Sequence, residues 1–271
     1  MPAPAKHVTV SQILGRKREG PKIVALTAYD ALFGRLLDEA GVDIVLVGDS
    51  VNTVLAGQDT TLSATLEQMI YHTRSVRAGV RRALLVIDMP YLTYQVSIEE
   101  AKRNCGHAMQ LTGANAVKLE GGVAIAETVR ALVDIGIPVM GHVGFTPQSV
   151  HALGGYRVQG RGEDAVKRIV ADAKALEQAG AFSMVLELMP SAVAGRVTEA
   201  VAIPTIGIGS GPHCDGQVLV LHDMLGLNEQ FRAKFVKAYA NLSDDVRTAV
   251  RRFCEDVQSG RYPDATHSFE Q

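Results

Sequence analysis

A (β/α)₈ TIM barrel is the fold class this 271-residue sequence predicts. Eight strand candidates alternate with helical segments over roughly 250 residues, the span such a barrel takes. No Gly-x-Gly-x-x-Gly turn follows the first strand, as it would in an open dinucleotide-binding sheet. An open doubly wound sheet is the competing architecture. No linker, low-complexity tract or composition shift divides the chain, so one domain over 1–271 is expected. It would carry a short N-terminal helix and further helices at the C-terminus.

The elements follow in order. Residues 8–20 read as a helix with Ser11 as N-cap and Gly20 as stop. Lys22–Tyr29 is the first strand, and Asp30–Gly41 the helix after it. Ile44–Ser50 is the second strand, a continuous apolar run that ends in Gly48, Asp49 and Ser50. Such a run suits a strand covered on both faces. A polar loop over 51–62 is long for a strand-to-helix connection. Ser63–Gly79 reads as a helix and Ala83–Asp88 as the third strand. Ser97-x-x-Glu100 matches a capping box opening a helix to about Thr112. Ala116–Glu120 is the fourth strand, followed by a helix ending at Gly136. Pro138–Val143 is the fifth, followed by a Gly-rich loop over 144–162. Helix Glu163–Gly180, strand Phe182–Leu188 and a helix around Ala192–Val201 come next. Pro204–Ile208 and Val218–Asp223 are the last two strands, and one or two helices fall within 229–258. Gly41, Gly113, Gly136 and Gly180 each close a helix just before a strand, where a left-handed residue is wanted.

Composition narrows the function classes. Hydrophobic residues make up 47% of the chain with no Trp, so aliphatic side chains must fill the core. A net charge of −2 gives no electrostatic reason to expect nucleic acid or an anionic membrane. Cys105, Cys214 and Cys254 are scattered and form no disulfide framework or paired metal-ligand spacing. The start, Met1 to Lys6, lacks a signal peptide's apolar core, and no apolar run reaches the roughly 20 residues a membrane helix needs. The expected setting is the cytoplasm.

A barrel of this class keeps its chemistry at the C-terminal ends of its strands. Asp49, Asp88 and Glu120 end neighbouring strands two, three and four. Three converging carboxylates repel one another unless a hard cation such as Mg²⁺ joins them. Each acid could instead cap the helix that follows it. Lys118 precedes Glu120 by two residues, so both point inward. They form either a structural ion pair or a cation facing a substrate carboxylate or developing enolate. His142 at the rim of strand five is either a core histidine or a donor to a substrate oxygen. Glu187 lies between Leu186 and Leu188 near the end of strand six. Apolar neighbours favour a protonated carboxyl and so suit a general base, although a helix-capping acid is the alternative. With a metal across the mouth, the pattern suggests proton abstraction beside a chelated keto group. Gly207-x-Gly209-Ser210-Gly211 is most simply a tight turn, and Tyr29 and Ser50 are weak ligand-contact candidates.

Taken together, several motifs make the chain resemble the ketopantoate hydroxymethyltransferase family over nearly its whole length. They are Leu26-Thr27-Ala28-Tyr29-Asp30, Leu46-Val47-Gly48-Asp49-Ser50, Val117-Lys118-Leu119-Glu120-Gly121-Gly122 and Gly141 through Ser149. Gly154 through Arg161 and Ile206-Gly207-Ile208-Gly209 complete the set. Tyr91 and Ser210 are conservative departures from the family pattern. The resemblance implies Mg²⁺ and the substrate 3-methyl-2-oxobutanoate. It implies 5,10-methylenetetrahydrofolate as one-carbon donor and 2-dehydropantoate as product, for pantothenate and coenzyme A synthesis. By motif it makes Asp49, Asp88 and Glu120 the metal-site acids. It gives Asp49, Ser50, Asp88, Lys118 and His142 to the keto acid, and makes Glu187 the proton acceptor that forms a Mg-stabilised enolate. Family members are cytoplasmic homo-oligomers, typically decamers.

The rival within related chemistry is a carbon–carbon lyase or mutase of the isocitrate lyase type. That reading wants a reactive cysteine in an active-site loop, and the Gly154–Arg161 loop has none. From another class, a non-catalytic ligand-binding barrel would have little use for Lys118 and Glu187 together with three acids.

Overall fold

Short aliphatic strands, each followed by a helix, leave the chain one economical way to cover both sheet faces, and the strands close on themselves. A computed structural model describes residues 7–17, 20–231 and 233–269. Its strands form a closed parallel barrel in sequence order, with β8 (Gly216–Leu219) returning to β1 (Ile23–Thr27). Between them run β2 (Ile44–Val47), β3 (Leu84–Asp88), β4 (Ala116–Lys118), β5 (Val139–Gly144), β6 (Ser183–Glu187) and β7 (Thr205–Ile208). The chain divides into two compact units, residues 1–220 with the barrel and residues 221–271. No helix among the described residues is long and apolar enough to cross a membrane.

Inward-facing positions alternate along each strand and stack in layers. Ile23, Ile44, Leu84, Ala116 and Met140 belong to one buried cluster with Ala25, Leu46, Val86, Val185 and Val218. Val8 and Ile13 join this cluster from the N-terminal segment. Beyond it, Lys17 pairs with Asp215 at 2.8 Å, and Arg16 with Asp43 at 2.7 Å. The same parity carried one step further places Asp88, Lys118, His142 and Glu187 at the mouth. The barrel is therefore largely apolar through its middle layers and charged at its mouth.

Helices lie where the pattern predicts them, with shifted boundaries. Asp30 caps α2 (Ala31–Glu39) by accepting from the Phe33 N–H, and Ser97 caps α5 (Ile98–Thr112) by accepting from the Glu100 N–H. The first helix, α1 (Val10–Gly15), is capped by Thr9 rather than Ser11 and stops at Gly15 rather than Gly20. Its box pairs Thr9 with Gln12 reciprocally, a Thr-x-x-Gln form of the motif that Ser11 obscures. Residues 18–19, within the expected helix, lie outside the described residues. The polar loop after β2 holds a helical turn, α3 (Val51–Val54), and Thr65 boxes with Gln68 to start α4 (Leu66–Gly79). After β4, a 3₁₀ turn (Val123–Ile125) leads into α6 (Ala126–Val133). The long loop after β5 contains a second 3₁₀ turn, Pro147–Ser149, before α7 (Glu163–Gln178). Helix α8 (Ser191–Ala200) links β6 to β7.

Strand eight begins two residues before its expected start. Gly216 is required there, because a Cβ would sit 2.5 Å from the Ile23 carbonyl oxygen of the adjoining strand. Gly41, Gly113, Gly136 and Gly180 all have positive φ, as their placement at helix ends predicts. In the second unit, Leu221–Met224 forms one helical turn, α9, where the eighth strand was expected to continue. Of the one or two helices expected within 229–258, the described residues hold one, α10 (Leu242–Gln258), and its Arg247 pairs with Glu229.

Candidate active site at the barrel mouth

Six ionisable side chains expected from the sequence meet in one pocket. Asp49, Asp88, Lys118, Glu120, His142 and Glu187 all line it, and Ser50 lies beside them. The first five are 5% exposed or less, so their charges act through little water.

Strand geometry delivers most of them. Asp88, Lys118, His142 and Glu187 end the inward faces of β3, β4, β5 and β6, and Glu120 follows Lys118 by one further step of two. Asp49 arrives differently. Strand β2 stops at Val47, and the chain turns so that the Asp49 N–H donates to Asp88 Oδ2 at 3.1 Å. Gly48 takes the inward position that a side chain would otherwise fill. A Cβ there would lie 2.7 Å from Ser50 Oγ and 3.5 Å from Asp88 Oδ2. Ser50 shares a hydrogen bond with Tyr29 Oη at 2.8 Å, which fixes the hydroxyl at the rim.

Lys118 is the hub. Its ammonium lies 2.8 Å from Asp88 Oδ1, 3.8 Å from Glu120 Oε1 and 3.1 Å from His142 Nδ1. Burial opposes its charge, but Asp88, Glu120 and Asp49 outweigh burial and hold it protonated. On the far side of the imidazole, His142 Nε2 is 3.1 Å from Glu187 Oε2. Lys118, His142 and Glu187 therefore lie in a row at contact distance, with no hydrogen bond formed at His142 Nε2. The expected apolar wall around Glu187 is absent on this side: alternation sends Leu186 to the opposite face, and the carboxylate meets an imidazole.

Backbone strain locks Glu187 in place. Leu188, just after it, has φ of 49°, an unfavourable conformation for a branched residue. Its N–H donates to the Ile208 carbonyl at 2.9 Å, and its carbonyl accepts from the Gln159 N–H at 2.8 Å. Across the strand boundary Gly144 has φ of 97°, and a Cβ there would collide with the Glu187 carbonyl oxygen.

Negative charge is in excess. Asp49, Asp88, Glu120 and Glu187 carry four carboxylates, against the Lys118 ammonium and, when protonated, the His142 imidazolium. Burial, then repulsion by Asp88 and Glu120, pushes the Asp49 carboxyl well above the ordinary carboxylate range. Burial also raises Asp88, with Lys118 opposing it. Glu120 goes the other way, because His142 and Lys118 together outweigh its burial.

Asp88 Oδ1 and Glu120 Oε1 are buried and face cations, Lys118 at 2.8 and 3.8 Å and, for Glu120, His142 Nδ1 at 3.5 Å. The excess of negative charge and the all-oxygen donor set of the acids fit a hard divalent cation. Among the described residues no three His, Cys, Asp or Glu side chains form a ready metal cage. Asp49 and Asp88 are the two of these acids whose carboxyls are pushed up, Asp88 in spite of its Lys118 contact, whereas Glu120 is held down by His142 and Lys118.

The His142 imidazole has a measurable signature. Burial and the Lys118 ammonium press it toward neutrality, but the carboxylates of Glu120 and Glu187 outweigh them and raise it to about 9. A folded-state value above the unfolded value of about 6.5 means that protonation stabilises the fold. That contribution is complete below about pH 6.5 and is lost as pH rises through about 9. In metal-free protein, urea midpoints of wild type and His142→Gln should therefore differ most near pH 6 and converge toward pH 10, on the order of these two values. A pH-independent gap would contradict the charged imidazole.

Three lining or supporting residues escape sequence reasoning: Thr61, Tyr94 and Gln148. Thr61 lines the pocket with a buried hydroxyl that has no hydrogen bond. From loops, Gln148 bonds to the carboxylates of Asp49 and Glu120, and Tyr94 to the Glu120 backbone and to Gln148. Loop residues carry no periodicity, and the length of the loops that hold Thr61 and Gln148 is the one signal present. The cysteines take no part: burial pushes Cys105 up to about 12, Cys214 is also raised by burial, and neither lines the pocket.

Comparison with known proteins places this arrangement. Residues 7–265 match the family model described as ketopantoate hydroxymethyltransferase. A 3-methyl-2-oxobutanoate hydroxymethyltransferase from Pelobacter propionicus is 55% identical over 97% of this chain and 98% of its own. One from Geobacter metallireducens is 51% identical over 96% and 98%. Among solved structures, phosphoenolpyruvate phosphomutase from Streptomyces platensis subsp. rosaceus superposes with a TM-score of 0.61 at 13% identity, over 93% of this chain and 88% of that one. A phosphonopyruvate hydrolase complex with oxalate and Mg²⁺ gives 0.62 at 14% identity, over 96% and 93%. At such identities these two structures share the fold alone.

Proposed function

The chain belongs to the ketopantoate hydroxymethyltransferase family and is a hydroxymethyltransferase, and we propose that it transfers a one-carbon unit from 5,10-methylenetetrahydrofolate to 3-methyl-2-oxobutanoate. The products are 2-dehydropantoate and tetrahydrofolate, with one water consumed. The observation that carries this reading is the Lys118–His142–Glu187 line, which sets a carboxylate base opposite the Asp49–Asp88 pair.

Asp49 and Asp88 would hold Mg²⁺, with Glu120 as an outer acid already engaged by Lys118 and His142. The cation, when bound, supplies Lewis-acid polarisation of the keto acid and spreads enolate charge. The related Mg²⁺ and oxalate complex supports such a site in this fold. The chain's own residues do the rest. Ser50 and Lys118 face the substrate carboxylate and the developing enolate oxygen. Glu187 accepts the C3 proton, and His142 steadies the carboxylate before and after that transfer. The enolate carbon C3 then bonds to the folate-borne methylene as the first of its two C–N bonds breaks. Water replaces the second folate nitrogen at the same carbon, and the two nitrogens take up one proton from C3, by way of Glu187, and one from that water. We extend the family reading to a cytoplasmic homo-oligomer, a decamer by resemblance.

A ¹³C-labelled methylene donor tests the reaction. With keto acid and Mg²⁺, the label should appear in a hydroxymethyl group on C3, and EDTA should abolish it. Cleavage of the keto acid without incorporation would move the chain to the lyase or mutase class.

A further inference from the structure

Gln148 occupies an unusual position, in the 3₁₀ turn Pro147–Ser149 on the loop after β5, yet only 6% exposed. Its carboxamide is fully engaged. Nε2 donates to Asp49 Oδ2 at 3.0 Å and to the Met89 carbonyl at 2.9 Å. Oε1 lies 2.9 Å from Tyr94 Oη and accepts from Gln95 Nε2 at 3.2 Å. The backbone N–H of the same residue donates to Glu120 Oε2 at 2.9 Å. Tyr94 closes the circuit, because its phenol accepts from the Glu120 N–H at 3.0 Å and lies 3.0 Å from the Glu120 carbonyl.

The result is selective. One oxygen each of Asp49 and Glu120 is tied to Gln148, and one oxygen of Asp88 to the Asp49 N–H. The opposite oxygens of Asp88 and Glu120 face the Lys118 ammonium, at 2.8 and 3.8 Å. Carboxylates free at both oxygens would rotate, and ordering them on ligand binding costs side-chain entropy. Carboxylates held at one oxygen present the other in a set direction, which is how supporting hydrogen bonds tune metal ligands.

We propose that Gln148, backed by Tyr94, is a positioning residue that orients Asp49, which would hold the divalent cation, and fixes Glu120 as the outer acid beside it, so that seating of the loop after β5 and cation affinity are coupled. This rests on the metal reading given above. Gln148 touches no reacting atom. It acts through the acids, and through them on whatever the cation holds.

Magnesium titration by calorimetry on the full-length protein, without substrate, tests it. The metal-free thermal midpoint of each variant is measured in parallel. Gln148→Met removes both donors and the acceptor at similar volume and should weaken Mg²⁺ binding about 10- to 100-fold, the usual range for a supporting ligand contact. The Mg²⁺ concentration needed for half-maximal turnover should rise in the same proportion. Tyr94→Phe keeps the carboxamide but leaves its Oε1 with Gln95 alone, and should weaken binding by a smaller factor. Wild-type Mg²⁺ affinity in folded Gln148→Met would overturn the proposal, even with a lowered thermal midpoint. Should Gln148→Met not fold, wild-type affinity in Tyr94→Phe overturns it instead. Failure of the wild type to bind Mg²⁺ would remove the metal reading itself, a result separate from wild-type binding that the variants retain.

Discussion

Glu187→Gln should leave the keto acid bound while C3 proton exchange falls by on the order of 10³-fold, the scale of a lost general base. The substitution keeps the shape and removes the acceptor. The carboxylate touches His142 at 3.1 Å and does not bond to Asp49, Asp88 or Lys118, so the proposed binding pieces survive it. Leu188 still holds the backbone, with its N–H bonded to Ile208 and its carbonyl to Gln159. Deuterium incorporation at C3 of 3-methyl-2-oxobutanoate, followed by NMR in D₂O with Mg²⁺, reads the first quantity. Equilibrium binding of the keto acid reads the second. Loss of binding with loss of exchange would assign Glu187 to ligand capture rather than proton transfer.

Lys118→Met should produce the largest loss of stability, one that metal partly restores. The ammonium is buried among Asp88, Glu120 and His142, and its removal leaves those acids uncompensated. Removing one partner of a buried charge pair costs about 3–5 kcal/mol. The metal-free variant should unfold at correspondingly lower urea. The same loss removes the positive charge that competes with a divalent ion for Asp88. Magnesium should therefore raise the variant's thermal midpoint by more than it raises that of wild type. Turnover should stay low in both conditions, because no ammonium faces the enolate. A variant of wild-type stability without metal would show that the cluster is already neutralised by protonation, with Asp49 and its neighbours holding the protons.

Much of this site is legible in the chain because β-strands keep parity. Once Ala116 and Lys118 share the inward face, Glu120 shares it too, and the same alternation carries Leu84 and Val86 to Asp88. His142 and Glu187 follow from their own strands. The eightfold alternation with Gly at helix ends is equally direct, since Gly41, Gly113, Gly136 and Gly180 meet a conformational demand that other residues meet poorly.

What is not legible lies where parity ends. Asp49 enters from a turn after β2, and its direction depends on the empty space at Gly48 and on the Asp88 carboxylate. Gln148 and Tyr94 come from loops, and their roles depend on tertiary hydrogen bonds with no period to betray them. Glu187 was expected among hydrocarbon walls because its sequence neighbours are leucines. In space its neighbour is His142, contributed by the adjoining strand through the pairing of Val143 with Leu186. The start of strand eight shows the same limit, since its register is set by close approach of Gly216 to β1.

The central claim is that this barrel mouth removes the C3 proton of a bound α-keto acid. Deuterium exchange at C3 of 3-methyl-2-oxobutanoate, catalysed by the wild-type protein with Mg²⁺ and in the absence of folate, tests it most directly. The arrangement of Glu187, His142 and Lys118 opposite Asp49 and Asp88 predicts exchange far above the buffer rate and suppressed by EDTA. Exchange at the buffer rate in folded, Mg²⁺-loaded protein that still binds the keto acid would contradict it.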